Sequence, residues 1–133
     1  TFINSYVSNY HMLSKNMLYH VHKEGFHEEE VYDAYKIFFG TLVSESRLKM
    51  INLLRNSRKN VSEIMAELKM DQTAVSHDLA RLRQCGFVKT ERDGKFVYYS
   101  LNQGTINPIM KLIDEHMSQY CIHILHKMKG EIK

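Results

Sequence analysis

Residues 44 to 101 present their local signals in an order that few folds accommodate. A helical run, Glu45 to Asn56, leads into SEIMAELK (Ser62–Lys69), a break at Met70-Asp71, and the longer run QTAVSHDLARLRQCG (Gln72–Gly86). Two short β-type runs follow, FVKTE and KFVYYS, joined by Arg92-Asp93-Gly94. A helix–turn–helix followed by a hairpin is a winged helix. In that arrangement the second helix of the pair is expected in the major groove of DNA, with the hairpin beside it on the phosphate backbone.

The local chemistry supports each part. Asn60 followed three residues later by Glu63 predicts a capping box. Asp71 is placed to cap the next helix through its carboxylate. Gly86 stands where a helix ends in a left-handed residue. Asp93-Gly94 predicts a hairpin turn with positive φ at both central positions. Val97 and Tyr99 alternate with Phe96 and Tyr98, as a two-faced strand requires.

Within Gln72–Gln84, Val75, Leu79 and Leu82 fall on one side at helical spacing and should face a core. Thr73, Ser76, His77 and Ala80 fall opposite. They are short or hydrogen-bonding, so this face could approach base edges closely. Gln72, in the first turn, could pair with adenine. Arg81 and Arg83 flank the face and could neutralise phosphates. The alternative is an ordinary solvated helix face.

The segment resembles the ArsR/SmtB family of winged-helix repressors. The resemblance rests on Ser46-Arg47-Leu48-Lys49-Met50-Ile51, Thr73-Ala74-Val75-Ser76-His77-Asp78-Leu79, Leu82-Arg83-Gln84-Cys85-Gly86-Phe87-Val88 and Gly94-Lys95-Phe96-Val97-Tyr98-Tyr99-Ser100-Leu101. It covers about 80 residues once the flanking helices are included. It implies a homodimeric repressor on a palindromic double-stranded DNA operator, released when it senses an inducer. Relatives often carry Gly where this chain has Lys69 and a small residue where it has Met65. Lysine in a left-handed turn costs on the order of 1 kcal/mol more than glycine.

A chain of 133 residues suffices for one domain with a sizeable core. The expected architecture is mainly α with a small β-hairpin: N-terminal helices over residues 1–42, a winged core over 44–101 and a C-terminal dimerisation helix over 105–129. No apolar run reaches the length of a transmembrane helix, and the N-terminus lacks a signal-peptide pattern. Two cysteines without paired spacing suggest a reducing, cytoplasmic setting. Charge is uneven: residues 1–40 carry −2, residues 41–100 carry +4 and the remainder +1. The positive excess thus lies on the unit expected to meet phosphates.

The flanks read as helical. From Phe2 to about Lys23, Ile3, Val7, Tyr10, Met17 and Val21 keep a near seven-residue rhythm that suits an interface helix or one packed on its own domain. Gly25 separates it from a second helix, roughly His27 to Thr41, with Val31, Tyr35, Phe38, Phe39 and Leu42 as its stripe. Glu28, Glu29 and Glu30 sit in its first turn, where the helix dipole favours acids. The last helix is expected to run unbroken from Ile106 to Met128, with Pro108 tolerated in its first turn. In relatives this helix forms most of the dimer interface.

Seven of the eight histidines lie outside the winged core, at His11, His20, His22, His27, His116, His123 and His126. His123 and His126 are one helical turn apart and could share a Zn or Ni ion, helped by His116 or by His20 and His22. The alternative is solvent-facing or interface histidine. Metal sensors of the family often place an Asp-x-His pair at the start of the last helix and a second pair further along. Those positions fall here on Gln103 and Thr105, then on His116 and Gln119, so only His116 is retained. The family's other site uses cysteines between Asn60 and Met65, where this chain has none.

Three function classes follow: a regulator of transcription with or without a ligand switch, an architectural DNA binder, and an enzyme. The chain shows no Ser-His-Asp spacing, Gly-rich phosphate loop or His-Glu-x-x-His helix, which speaks against the third.

Overall fold

The computed structural model describes residues 13–130, and the chain divides into two compact units, Thr1–Gly40 and Thr41–Lys133. In the first unit, α1 (Lys15–Lys23) begins at Ser14, an extended residue whose hydroxyl accepts the Met17 N–H at 3.1 Å. That cap corrects the expectation of one helix running through Ser14 from Phe2 to Lys23, because an extended N-cap is where a helix begins. Ile3, Val7, Tyr10 and His11 lie outside the described residues. Gly25, at φ +78°, closes α1, and the Phe26 N–H returns to the Val21 carbonyl at 2.9 Å. The next helix, α2 (Glu29–Leu42), opens with Glu29 and Glu30. The Glu30 carboxylate accepts the His27 N–H at 3.3 Å, the helix-starting role expected of these acids.

The second unit follows the expected order through the hairpin, with α3 (Glu45–Leu54), α4 (Val61–Leu68), α5 (Gln72–Gln84), β1 (Val88–Asp93) and β2 (Phe96–Leu101), and ends in two helices, α6 (Ile106–Gln119) and α7 (Cys121–Met128). Asn60 and Glu63 form both bonds of the capping box that starts α4. Lys69 ends α4 at φ 53°, ψ 50°, so this lysine does occupy the left-handed conformation. Asp71 then caps α5, accepting the Ala74 N–H at 2.7 Å. Ile51 and Leu54 of α3, Ile64 of α4, and Val75, Leu79 and Leu82 of α5 are buried and form the core. Burial of each such side chain favours folding by about 1.5–3 kcal/mol. Phe87, Val88 and Leu101 extend this core into the hairpin, and Ile106 and Met110 into α6.

The hairpin is antiparallel, with register running from Val88↔Leu101 to Asp93↔Phe96. Its two-residue turn is therefore Gly94-Lys95, one position later than expected. Only Gly94 has positive φ, at +63°. Glycine alone at the first central position is the mirror-image type II turn, which leaves Asp93 in the ladder. Lys59 adds a single antiparallel bridge to Tyr99, with N–O distances of 3.0 and 2.8 Å.

The C-terminal helix is not continuous. Tyr120 adopts φ −127°, ψ −72° and separates α6 from α7. No side chain caps α7. Two residues earlier the Ser118 hydroxyl donates to the Glu115 carbonyl at 2.7 Å. Such back-bonding competes with the helical ladder and bends helices. Among the described residues, no helix is long and apolar enough to cross a membrane.

Candidate nucleic-acid interface

The surface of α5 is sorted residue by residue. Val75, Asp78, Leu79 and Leu82 are buried, whereas Gln72, Thr73, Ser76, His77, Ala80, Arg83 and Gln84 are exposed. The exposed set recurs every three or four residues, so it forms one ridge along the helix. Two depressions flank that ridge. One, of about 360 Å³, is lined by Arg47, His77, Ala80, Arg81 and Gln84. The other, of about 400 Å³, is lined by Ser76, Leu79, Ala80, Arg83, Gln84 and Tyr99. The structure therefore brings Ser76 and His77 to one ridge with a cation on either side.

Asp78 holds this helix in place. Its carboxylate accepts the Ser46 hydroxyl at 2.6 Å and an Arg47 Nη1–H at 3.3 Å. Arg47 in turn donates from Nε to the Thr41 carbonyl at 2.7 Å. Arg81 is half-buried, and its Nε donates to the Thr41 hydroxyl at 3.3 Å. It therefore sits lower on the flank than Arg83, which stands exposed beside the ridge. Sequence periodicity points to the apolar core positions of α5 but not to Asp78, because an acid that follows the polar pair Ser76-His77 reads as part of the solvated face. Gln84 and Tyr99 were also missed, since Tyr99 reaches the ridge only through the fold of the hairpin.

The C-terminal end of α5 is tied to the hairpin. Gly86, at φ +76°, closes the helix, with the Phe87 N–H bonded to the Leu82 carbonyl at 2.8 Å. Asn102 Nδ2 donates to the Gly86 carbonyl at 3.0 Å, and the Asn102 N–H to the Phe87 carbonyl at 2.9 Å. These bonds fix where the wing stands relative to the ridge.

Register assigns the wing side chains to two faces. Thr90, Arg92, Val97 and Tyr99 share one face, which through Tyr99 adjoins the ridge. Lys89, Glu91, Asp93, Phe96, Tyr98 and Ser100 share the other. Arg92 and Lys95 are exposed, and Lys95 Nζ lies 5.3 Å from the centre of the Phe96 ring. On the second face Arg58 pairs with Glu91 and, at 2.8 Å, with Asp93. The Asp93 hydrogen bond is the largest influence holding the Arg58 guanidinium above its ordinary pKa; desolvation opposes it, and the charges of Glu91 and Asp93 add to it.

The histidines are dispersed. His116 is on α6, its ring 4.8 Å from that of Tyr120, whereas His123 and His126 are exposed on α7 beyond the break. His22 approaches Glu28 at 3.7 Å in the first unit. Among the described residues, no three His, Cys, Asp or Glu side chains are grouped to hold a metal ion. Cys121 is exposed, and Cys85 is half-buried with its Sγ 3.3 Å from the Thr41 hydroxyl.

Comparison with known proteins agrees with this geometry. Residues 44–90 match the bacterial regulatory protein, arsR family. An uncharacterized HTH-type transcriptional regulator of Methanocaldococcus jannaschii is 32% identical over 87 residues, covering 65% of this chain and 98% of the relative. The chain belongs to the ArsR/SmtB-like winged-helix superfamily of regulators. The transcriptional repressor SmtB homolog of Synechocystis is 33% identical over 82 residues, and the match spans 62% of each chain. Among solved structures, the transcriptional regulator HlyU of Vibrio vulnificus is 31% identical, with a TM-score of 0.56 over 70% of this chain and 94% of its own. In the winged helix-turn-helix, α5 is the second helix of the pair and β1–β2 is the wing.

Proposed function

We propose that the protein is a homodimeric transcriptional repressor that reads a palindromic operator and is released from it by an inducer. The observation that carries this reading is the exposed ridge of Thr73, Ser76, His77 and Ala80 on α5, flanked by Arg81 and Arg83. Short polar side chains allow a helix to enter the major groove. Ser76 and His77 would meet base edges, and Gln72 suits adenine. Arg92 and Lys95 on the wing, with Arg81 and Arg83, would meet phosphates, which position the protein without reading sequence.

Dimerisation is supported by apolar side chains that one chain leaves in water. Leu112, Tyr120, Ile124 and Met128 of the C-terminal helices are exposed, as are Tyr35, Ile37 and Phe39 of α2. Clusters of this kind mark interaction surfaces. A two-fold dimer would set its two α5 helices about 34 Å apart, one turn of duplex. The inducer in this reading is a divalent ion such as Zn or Ni. His123 and His126 offer a pair of imidazoles per chain, and two such pairs across a dimer would complete a tetrahedral set.

Selection of duplexes from a random-sequence pool tests the function. The expected result is enrichment of one palindrome with half-sites a helical turn apart. Tight binding without enrichment would favour an architectural DNA binder, and the absence of duplex binding would overturn both.

A further inference from the structure

A wing that approaches phosphate should not carry acids, yet this one carries Glu91 and Asp93 beside Lys89, Arg92 and Lys95. Both acids lie on the same side of the hairpin, because residues 91 and 93 share a face opposite Tyr98 and Phe96. Arg58 comes to that face from outside the hairpin. Its place is set by the neighbouring residue: Lys59 bridges Tyr99 through the backbone, and the Lys59 side chain is held by Glu67 at 2.9 Å. In an antiparallel bridge at Lys59–Tyr99, residue 58 falls on the face of Tyr98. The Arg58 guanidinium carbon indeed lies 4.2 Å from the centre of the Tyr98 ring. From there one nitrogen pairs with Glu91 and the other with Asp93. A forked guanidinium can do this, whereas an ammonium cannot grip two carboxylates in the same plane.

We propose that Arg58 is a positioning residue for DNA binding: it holds Glu91 and Asp93 on the far face of the wing and neutralises them, so that Arg92 and Lys95 can meet phosphate unopposed. This rests on the proposed DNA-binding function. Arg58 itself need not touch DNA. Its effect comes from two acids that would otherwise repel a phosphate backbone within a Debye length, about 10 Å at 0.1 M salt. The same contacts tie the loop before α4 to the tip of the hairpin, so the wing is held rigid as well as neutralised.

The test is a mutant cycle read by fluorescence anisotropy on a labelled random-sequence duplex, where phosphate contacts dominate. Arg58→Gln should weaken binding about five- to tenfold at 0.1 M salt. In an Glu91→Gln/Asp93→Asn background, the same Arg58→Gln change should cost less than about twofold, because no acids remain to be neutralised. Both acids are exposed, so that background should fold, and circular dichroism verifies each variant. Arg58→Lys, which keeps the charge but not the fork, should lose less than Arg58→Gln. An equal loss from Arg58→Gln in both backgrounds would make Arg58 a phosphate contact in its own right and overturn the proposal. So would no loss in either background, or equal losses for Lys and Gln. A wild-type chain that binds no duplex would instead overturn the DNA-binding function on which the proposal rests.

Discussion

Arg47 and Asp78, on α3 and on the buried side of α5, form an ion pair at 3.3 Å that joins these two helices. Both side chains are largely withdrawn from water, at 18% and 9% exposure. Ser46 and Thr41 complete the hydrogen bonding of the pair. An ion pair in this setting contributes to the orientation of α5 more than to net stability, because desolvation offsets much of the Coulomb attraction.

Removing one partner is therefore the costly change. Asp78→Ala should destabilise the fold by about 2–4 kcal/mol, since it leaves Arg47 buried without its carboxylate. The double variant Arg47→Met/Asp78→Leu should recover much of that loss. Urea denaturation of the three proteins checks this, and a double variant no more stable than Asp78→Ala would mean that the pair is not the source of the effect.

Lys69 is the only non-glycine residue with positive φ among the described residues. Its αL geometry should make Lys69→Gly stabilising by about 0.5–1 kcal/mol, after the extra freedom glycine gains in the unfolded chain. Thermal melts should show a rise of about 2–5 °C. A fall would show that the lysine side chain supplies more than its backbone costs.

The ridge and the wing should separate in binding experiments. Ser76→Ala and His77→Ala should reduce discrimination between the selected palindrome and random duplex. Arg92→Ala and Lys95→Ala should weaken both and lower the salt slope by about 0.9 for each lost phosphate contact. Unchanged slopes in the wing variants would place the wing away from the backbone.

Much of the winged core is legible in sequence because its signals are local. The Asn60–Glu63 box, the Asp71 cap and Gly86 each act within one turn of helix, and the apolar rhythm of α5 marks its buried side. The departures come from contacts that sequence spacing does not contain. Arg58 reaches Glu91 and Asp93 across more than thirty residues. The hairpin turn moved to Gly94-Lys95 because the register kept Asp93 in the ladder. The break at Tyr120 is hidden because Met117, Tyr120, Ile124 and Met128 keep an apolar helical spacing straight through it. Ser14 was likewise hidden inside a seven-residue rhythm that its cap interrupts. On α5, the exposed ridge is readable from periodicity, but the lower position of Arg81 depends on Thr41, forty residues earlier.

The exposed apolar side chains of α6 and α7 give a direct test of assembly. Leu112 is 66% exposed and Ile124 is 56% exposed. Replacing either by Glu should leave the fold intact, because neither lies in the core. Light scattering after size exclusion should report a dimer for the wild type and a monomer for Leu112→Glu/Ile124→Glu at micromolar concentration. A wild-type monomer, or a variant that remains a dimer, would remove this surface from the interface.

The inducer prediction follows from that dimer. Within one chain His123 and His126 are a pair on α7, and the break at Tyr120 takes α7 out of the helix that carries His116. Two imidazoles alone hold Zn weakly, whereas four arranged tetrahedrally make a closed site. Calorimetric titration with Zn or Ni should therefore saturate at about half an ion per chain if two pairs meet across the dimer. His123→Ala/His126→Ala should abolish that uptake, and the monomeric Leu112→Glu/Ile124→Glu variant should lose it as well. To act as a switch, the ion must bind the DNA-free dimer more tightly than the bound one. A coupling of about 1–3 kcal/mol would then weaken operator affinity by roughly 5- to 150-fold. Full uptake by the histidine variant would move the site elsewhere. No uptake by the wild type would leave a repressor whose inducer is not a metal ion.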